Sequence, residues 1–109
     1  KMIMPPPPLL VGNNIGAVGV LGSADELADG SWTVKGSGSD TWGSMDQFYY
    51  TNVCVSGDAI IELHVNSFVG AHEWSKGGLM IRETLETNSA HYSFLVSGSN
   101  GLANQWRKN

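Results

Sequence analysis

Apolar side chains fall at alternate positions through most of this chain, in short runs. Trp32 and Val34 alternate with Ser31, Thr33 and Lys35, and Phe48 and Tyr50 with Gln47, Tyr49 and Thr51. Ala59, Ile61, Leu63 and Val65 alternate with Ile60, Glu62, His64 and Asn66. Tyr92, Phe94 and Val96 alternate with His91, Ser93, Leu95 and Ser97. Successive side chains of a strand point to opposite faces, so a period of two predicts half-buried strands rather than helices.

Turn signals punctuate these runs at Ala28-Asp29-Gly30, Ser56-Gly57-Asp58, Lys76-Gly77-Gly78 and Ser97 to Gly101. Glycine supplies 14 of the 109 residues, about twice the usual ~7%. Many short strands joined by glycine-rich turns have this composition. Seven strands are expected, near 16–22, 31–37, 46–54, 58–68, 78–85, 91–97 and 101–107. The connections are too short for helical crossovers, so pairing is antiparallel. The fold class that follows is all-β, two packed sheets in a sandwich or jelly roll.

Helix signals are weak. Ser23 to Ala28 has a capping box, Ser23 with Glu26 three residues on, and predicts a single turn that Gly30 stops. Met80 to Glu86 is rich in helix-forming residues, but its short length and β-rich flanks predict a strand.

At 109 residues the chain is one domain. Pro5 to Pro8 fix φ and lack N–H donors, so residues 1–14 are expected to be a proline-rich tail or linker and residues 15–109 the β-sandwich domain. Hydrophobic residues make up 41% and charged residues 15%, too apolar and too low in charge for a disordered chain. The net charge of −4 leaves no basic stripe for nucleic-acid phosphates. No apolar run approaches the ~18–20 residues that span a bilayer. The chain begins at Lys1, so its natural start is expected to have been removed or not included, and no signal peptide can be read. The single cysteine, Cys54, excludes an intrachain disulfide; lying between Val53 and Val55, it is expected to be a small buried residue.

The runs SWTVKGSGSDTWGSMDQFYY, VSGDAIIELHV, WSKGGLMIRETL and SAHYSFLVSG follow one another in an order that resembles concanavalin A-like, laminin-G-like β-sandwich modules of secreted or surface proteins. The resemblance covers about Ile15 to Arg107, and DTWGSMDQF, the SGD turn and WSKGGLMIRE carry most of it. It implies secretion or cell-surface placement and, for many such modules, association with glycans. Similar modules continue past the equivalent of Gln105-Trp106-Arg107 with further strands. The expectation is therefore a domain incomplete as a single chain, with an open sheet edge available to a protein partner or to self-association.

Four tryptophans, Trp32, Trp42, Trp74 and Trp106, are many for this length. Aromatic faces stack on the apolar faces of sugar rings. Trp32 alternates with Val34 and is expected in the core; Trp106 caps the core or fills a partner. Trp42 lies in DTWGSMDQFYY, expected to be a corner: Gly43 permits the turn, Asp40 and Asp46 tie its backbone, and Phe48 and Tyr50 enter the core. Trp74 stands near Glu73 and Lys76. The candidate ligand-binding residues are Trp42, Trp74, Asp40, Asp46 and His72.

Chemistry is otherwise thinly supported. Asp40, Asp46 and Asp58, with Ser39 and Asn52, offer oxygens of the kind Ca²⁺ takes, but no Asp-x-Asp-x-Asp run exists; no cofactor is expected, and Ca²⁺ is the one the loops leave open. His64, His72 and His91 lack zinc-ligand spacing. No Gly-x-Ser-x-Gly elbow or phosphate loop is present. Glycoside hydrolysis needs two facing carboxylates; Glu83 and Glu86 are wrongly spaced for one strand face, and no catalytic residue is assigned. Arg82 sits in an otherwise apolar strand and needs a carboxylate partner, Glu62 or Asp46. The expected function is a non-catalytic extracellular binding module for carbohydrate, the alternative a structural subunit completed by strand pairing with another chain.

Overall fold

The computed structural model describes residues 10–108. These residues are all-β, with seven strands and no helix: β1 (Val11–Ile15), β2 (Ser23–Glu26), β3 (Trp32–Lys35), β4 (Phe48–Asn52), β5 (Lys76–Arg82), β6 (His91–Ser97) and β7 (Leu102–Arg107). They form three antiparallel sheets, β1–β4, β2–β3 and β5–β6–β7, and no closed sandwich. No helix among them is long and apolar enough to cross a membrane.

The meander β5–β6–β7 is the largest sheet. His91 pairs with Arg82 on one side and Arg107 on the other, and Tyr92 with Ile81 and Trp106. Its second turn closes where expected: the Ser97 N–H and Oγ both donate to Gly101 O, at 3.0 and 2.8 Å. The β1–β4 ladder runs from Val11↔Asn52 to Ile15↔Phe48. It is tied to the meander where Tyr50 Oη donates to Met80 O at 2.9 Å and Asp46 N–H to Thr87 O at 2.9 Å.

Three expectations about elements change. The first strand covers Val11–Ile15, inside the expected tail, and not 16–22. Gly16 and Gly19 have φ of +75° and +79°, which ends the strand and starts a bend. The proline run Pro5 to Pro8 lies outside the described residues. Ser23–Glu26 is strand β2, not a helical turn. A single isolated turn cannot meet its nucleation cost, whereas the ladder from Ser23↔Lys35 to Glu26↔Trp32 satisfies the same backbone. Its Asp29-Gly30 turn holds, with Asp29 Oδ1 accepting from the Ser31 N–H at 2.9 Å. Finally, residues 58–68 form no strand, despite their alternation. A strand exists only with a partner, and no described backbone pairs with this stretch.

The interior is small and unusually polar. Ile15 and Leu95 are the buried large apolar side chains among the described residues, against buried Asp46, Ser89, His91, Ser93 and Gln105. On β6 the buried face is His91, Ser93 and Leu95, and the outward face carries Tyr92 and Phe94. The alternation is therefore real, but its apolar side faces out. Tyr92 stacks on Trp106, centroids 6.2 Å apart, and meets Phe94 edge-on at 5.4 Å. Trp32 and Val34, expected inside, are exposed on the thin β2–β3 ribbon, which has no layer over it. Cys54, also expected inside, is exposed, because the chain beyond β4 leaves the sheet. Phe48 and Tyr50 are half-buried.

Candidate functional site

The corner from Asp40 to Gln47 positions the first part of the site. Asp40 Oδ1 accepts the Thr41 N–H at 2.7 Å, and Asp40 O accepts the Gln47 N–H at 2.9 Å, which closes the loop at its base. Gly43 has φ +77° with open space around it, so the chain reverses there and leaves Trp42 at the tip, 70% exposed. A second loop enters β5. In it the Ser75 N–H donates to His72 O at 3.0 Å, and the Trp74 N–H donates to His72 Nδ1 at 3.1 Å.

Lys76 joins the two loops. Its Nζ donates to Asp40 Oδ1 at 2.7 Å and lies 5.9 Å from the Trp42 ring centroid and 5.7 Å from that of Trp74. The Lys76 side chain is only 10% exposed. One ammonium thus holds one carboxylate and two indoles in a single array. Three of the five residues singled out from sequence, Asp40, Trp42 and Trp74, belong to it, and His72 lies in the loop that carries Trp74.

Asp46 is elsewhere. Its carboxylate is dry and takes Arg82 Nη1 at 2.6 Å, Arg107 Nη1 at 2.9 Å and Arg107 Nη2 at 2.6 Å. Arg82 has the carboxylate partner its position required, Asp46 and not Glu62, and its Nη2 also donates to Glu86 O. Burial pushes the Asp46 carboxyl pKa up; the hydrogen bonds from Arg107 and Arg82 outweigh it and hold the pKa below the usual carboxylate value. Both Asp46 oxygens are taken by the two arginines, and Asp40 Oδ1 is taken by Lys76 and the Thr41 N–H. Among the described residues no group of three or more His, Cys, Asp or Glu side chains is placed to hold a metal ion.

On the β7 side of Trp42 lies a cleft of about 270 Å³. Trp42 and Trp106 line it, with Thr41, His91, Gln105 and Arg107. Trp106 is 62% exposed, whereas Gln105 and His91 are each 7% exposed. Thr41 Oγ1 donates to Gln105 Oε1 at 3.2 Å, and His91 Nδ1 lies 3.0 Å from Ser93 Oγ. Among the described residues, the buried side-chain atoms left without a hydrogen-bond partner are Thr51 Oγ1 and Arg82 Nε, neither of which belongs to this cleft. Burial pushes the His91 pKa down; the charge of Asp46 opposes this and those of Arg107 and Arg82 add to it, so the ring is neutral at pH 7.

Trp106, Gln105 and His91 were not singled out from sequence as site residues. Gln105 reaches Thr41 across 64 positions of chain, and strand register brings Arg107 beside His91. The tryptophan count was the one available signal, and it does not say which tryptophans converge. No family model, curated protein or solved structure matches the chain.

Proposed function

We propose that this chain is a non-catalytic binding module whose ligand is a carbohydrate. The observation that supports the reading is the array built on Lys76: two separate loops place Trp42 and Trp74 about one ammonium, with both rings open to solvent. Indole faces give a sugar's C–H surface a flat apolar contact, and neighbouring polar groups orient it. The resemblance to concanavalin A-like modules supports the same reading and implies a secreted or surface protein with a two-sheet jelly roll. The test is a glycan array probed with the folded chain, with and without Ca²⁺, followed by Trp42→Ala and Trp74→Ala. Selective binding lost in both variants supports the reading; binding that survives both defeats it.

A second reading, a structural subunit completed by another chain, draws on the outward face of the meander. Ile81, Tyr92, Phe94, Leu102 and Trp106 are all exposed there, and no other described strand pairs with the outer edges of β5 and β7. Apolar faces of this kind mark interaction surfaces, and open edges accept strands. A chain that sediments as a monomer at high concentration counts against it.

A further inference from the structure

We propose that the open edge of β7 pairs with the β7 edge of a second copy of this chain, antiparallel and about a two-fold axis at Asn104, so that two meanders join in one continuous sheet. The inference rests on the second reading above and names its partner.

The ladder identifies the edge. The Ser97 N–H donates to Gly101 O, and bonded pairs in an antiparallel ladder recur at every second residue. The bonded pairs of β6 and β7 are therefore Leu95↔Ala103, Ser93↔Gln105 and His91↔Arg107. The backbone N–H and C=O groups of Leu102, Asn104 and Trp106 point the other way, to a side on which no described strand pairs. The edge of β5 differs, because β4 already meets it where Tyr50 Oη donates to Met80 O. Natural edges are blunted by lysine, proline or a bulge. Ala103 to Trp106 contains neither residue, its register runs without a bulge, and the Arg107 guanidinium is drawn away to Asp46.

This edge is complementary to itself in one register. Edge-facing residues must meet edge-facing residues, so with most of the strand paired the axis passes through Ala103, Asn104 or Gln105. At Asn104, Leu102 stands opposite the partner's Trp106, and Trp106 opposite the partner's Leu102. These two side chains are 84% and 62% exposed and project from the same face. An axis at Ala103 sets both opposite asparagines, and one at Gln105 sets Leu102 opposite a lysine and Trp106 opposite an asparagine. With the axis at Asn104, Arg107 falls opposite Gly101 and Lys108 opposite Asn100, so no two cations meet. Beside Leu102 the outward face continues into an apolar groove of about 470 Å³, walled by Leu79, Phe94 and Val96 and by Leu63 and Val65 from the chain before β5. The register sets the partner's indole at the mouth of that groove, a large aromatic against aliphatic walls.

The experiment uses the whole chain. Sedimentation velocity is expected to show a dimer that dissociates on dilution. Asn104→Pro removes an edge N–H that the ladder to β6 does not use, and is expected to raise the dimer dissociation constant roughly tenfold or more with the circular dichroism spectrum unchanged. Trp106→Lys, on an exposed side chain, is expected to do the same. The register is read by oxidation with oxidised glutathione in a Cys54→Ser background. Residues that face each other as a bonded pair lie about 5.5 Å apart at Cα, within disulfide reach, so Asn104→Cys is expected to link two chains and Ala103→Cys is not. A dimer that neither Asn104→Pro nor Trp106→Lys weakens, and that Asn104→Cys does not link, overturns the β7 pairing and leaves the subunit reading standing. Linkage through Ala103→Cys instead overturns the register. A chain that stays monomeric at every concentration overturns both the pairing and the subunit reading.

Discussion

Asp46 and Arg82 form a dry ion pair: the Oδ2–Nη1 distance is 2.6 Å and the side chains are 0% and 1% exposed. Arg107 closes the same carboxylate from the other side at 2.6 Å. Removing one member of such a cluster strands the others' charge. Asp46→Asn is expected to cost about 3–5 kcal/mol, read as a lower midpoint in urea unfolding. Asp40→Asn, which loosens a pair whose carboxylate is 39% exposed, is expected to cost under about 1 kcal/mol.

Acid should unfold the protein in two stages. His91 has a folded-state pKa below its ordinary 6.5. The unfolded chain therefore takes up the proton first, and stability falls as the pH drops below about 6.5. Asp46 has a folded-state pKa below 3.8. Its contribution is present above about pH 4 and fades as the pH falls through the folded pKa. Melting followed by circular dichroism from pH 8 to pH 2 should show both declines. His91→Gln should flatten the first and leave the second.

Lys76 holds the aromatic array together. Lys76→Met keeps the length of the side chain and removes the charge. Each cation–π contact is worth about 0.5–1 kcal/mol, so the fold should survive while Trp42 and Trp74 gain freedom. Acrylamide quenching of tryptophan fluorescence is expected to rise in the variant, and glycan affinity to fall severalfold.

The exposed Cys54 thiol should react in the native state. Titration with a thiol reagent is expected to label one group per chain without denaturant. Labelling that appears only in guanidinium would place the residue inside instead.

The outward face of the meander should drive association. Ile81→Lys and Leu102→Lys put charges on that face, where both wild-type side chains are exposed. Sedimentation velocity is expected to show less concentration dependence in the double variant than in wild type.

Several local features of this chain were legible from neighbours in sequence, though the Ser23-to-Glu26 capping box and the Lys76-Gly77-Gly78 turn signal both proved to be strand. His91 to Ser97 reads as a strand and is one; Asp29-Gly30 and Ser97 to Gly101 read as turns and close as turns. Arg82 reads as a cation in need of a carboxylate and has one. What alternation cannot say is which side of a strand is covered. A period of two divides Tyr92 from Ser93, but only the packing of the rest of the chain decides that Ser93 goes in. For the same reason Trp32 was misplaced: it alternates correctly on a ribbon with no second layer. In the site, Asp40, Trp42, His72 and Trp74 were legible as loop residues, and Lys76, which joins them, was not. Its role depends on a contact spanning 36 positions of chain. Gln105 and His91 depend on register and on a longer contact still.

The corner meets the last strand twice, through Thr41 to Gln105 and through Gly43 to Arg107, each across 64 positions. Contacts so distant in sequence close late, after the loop between them has been ordered. The corner is therefore held in place only once β7 has paired, so the exposed Trp42 at its tip takes its position from some of the slowest-formed contacts of the fold.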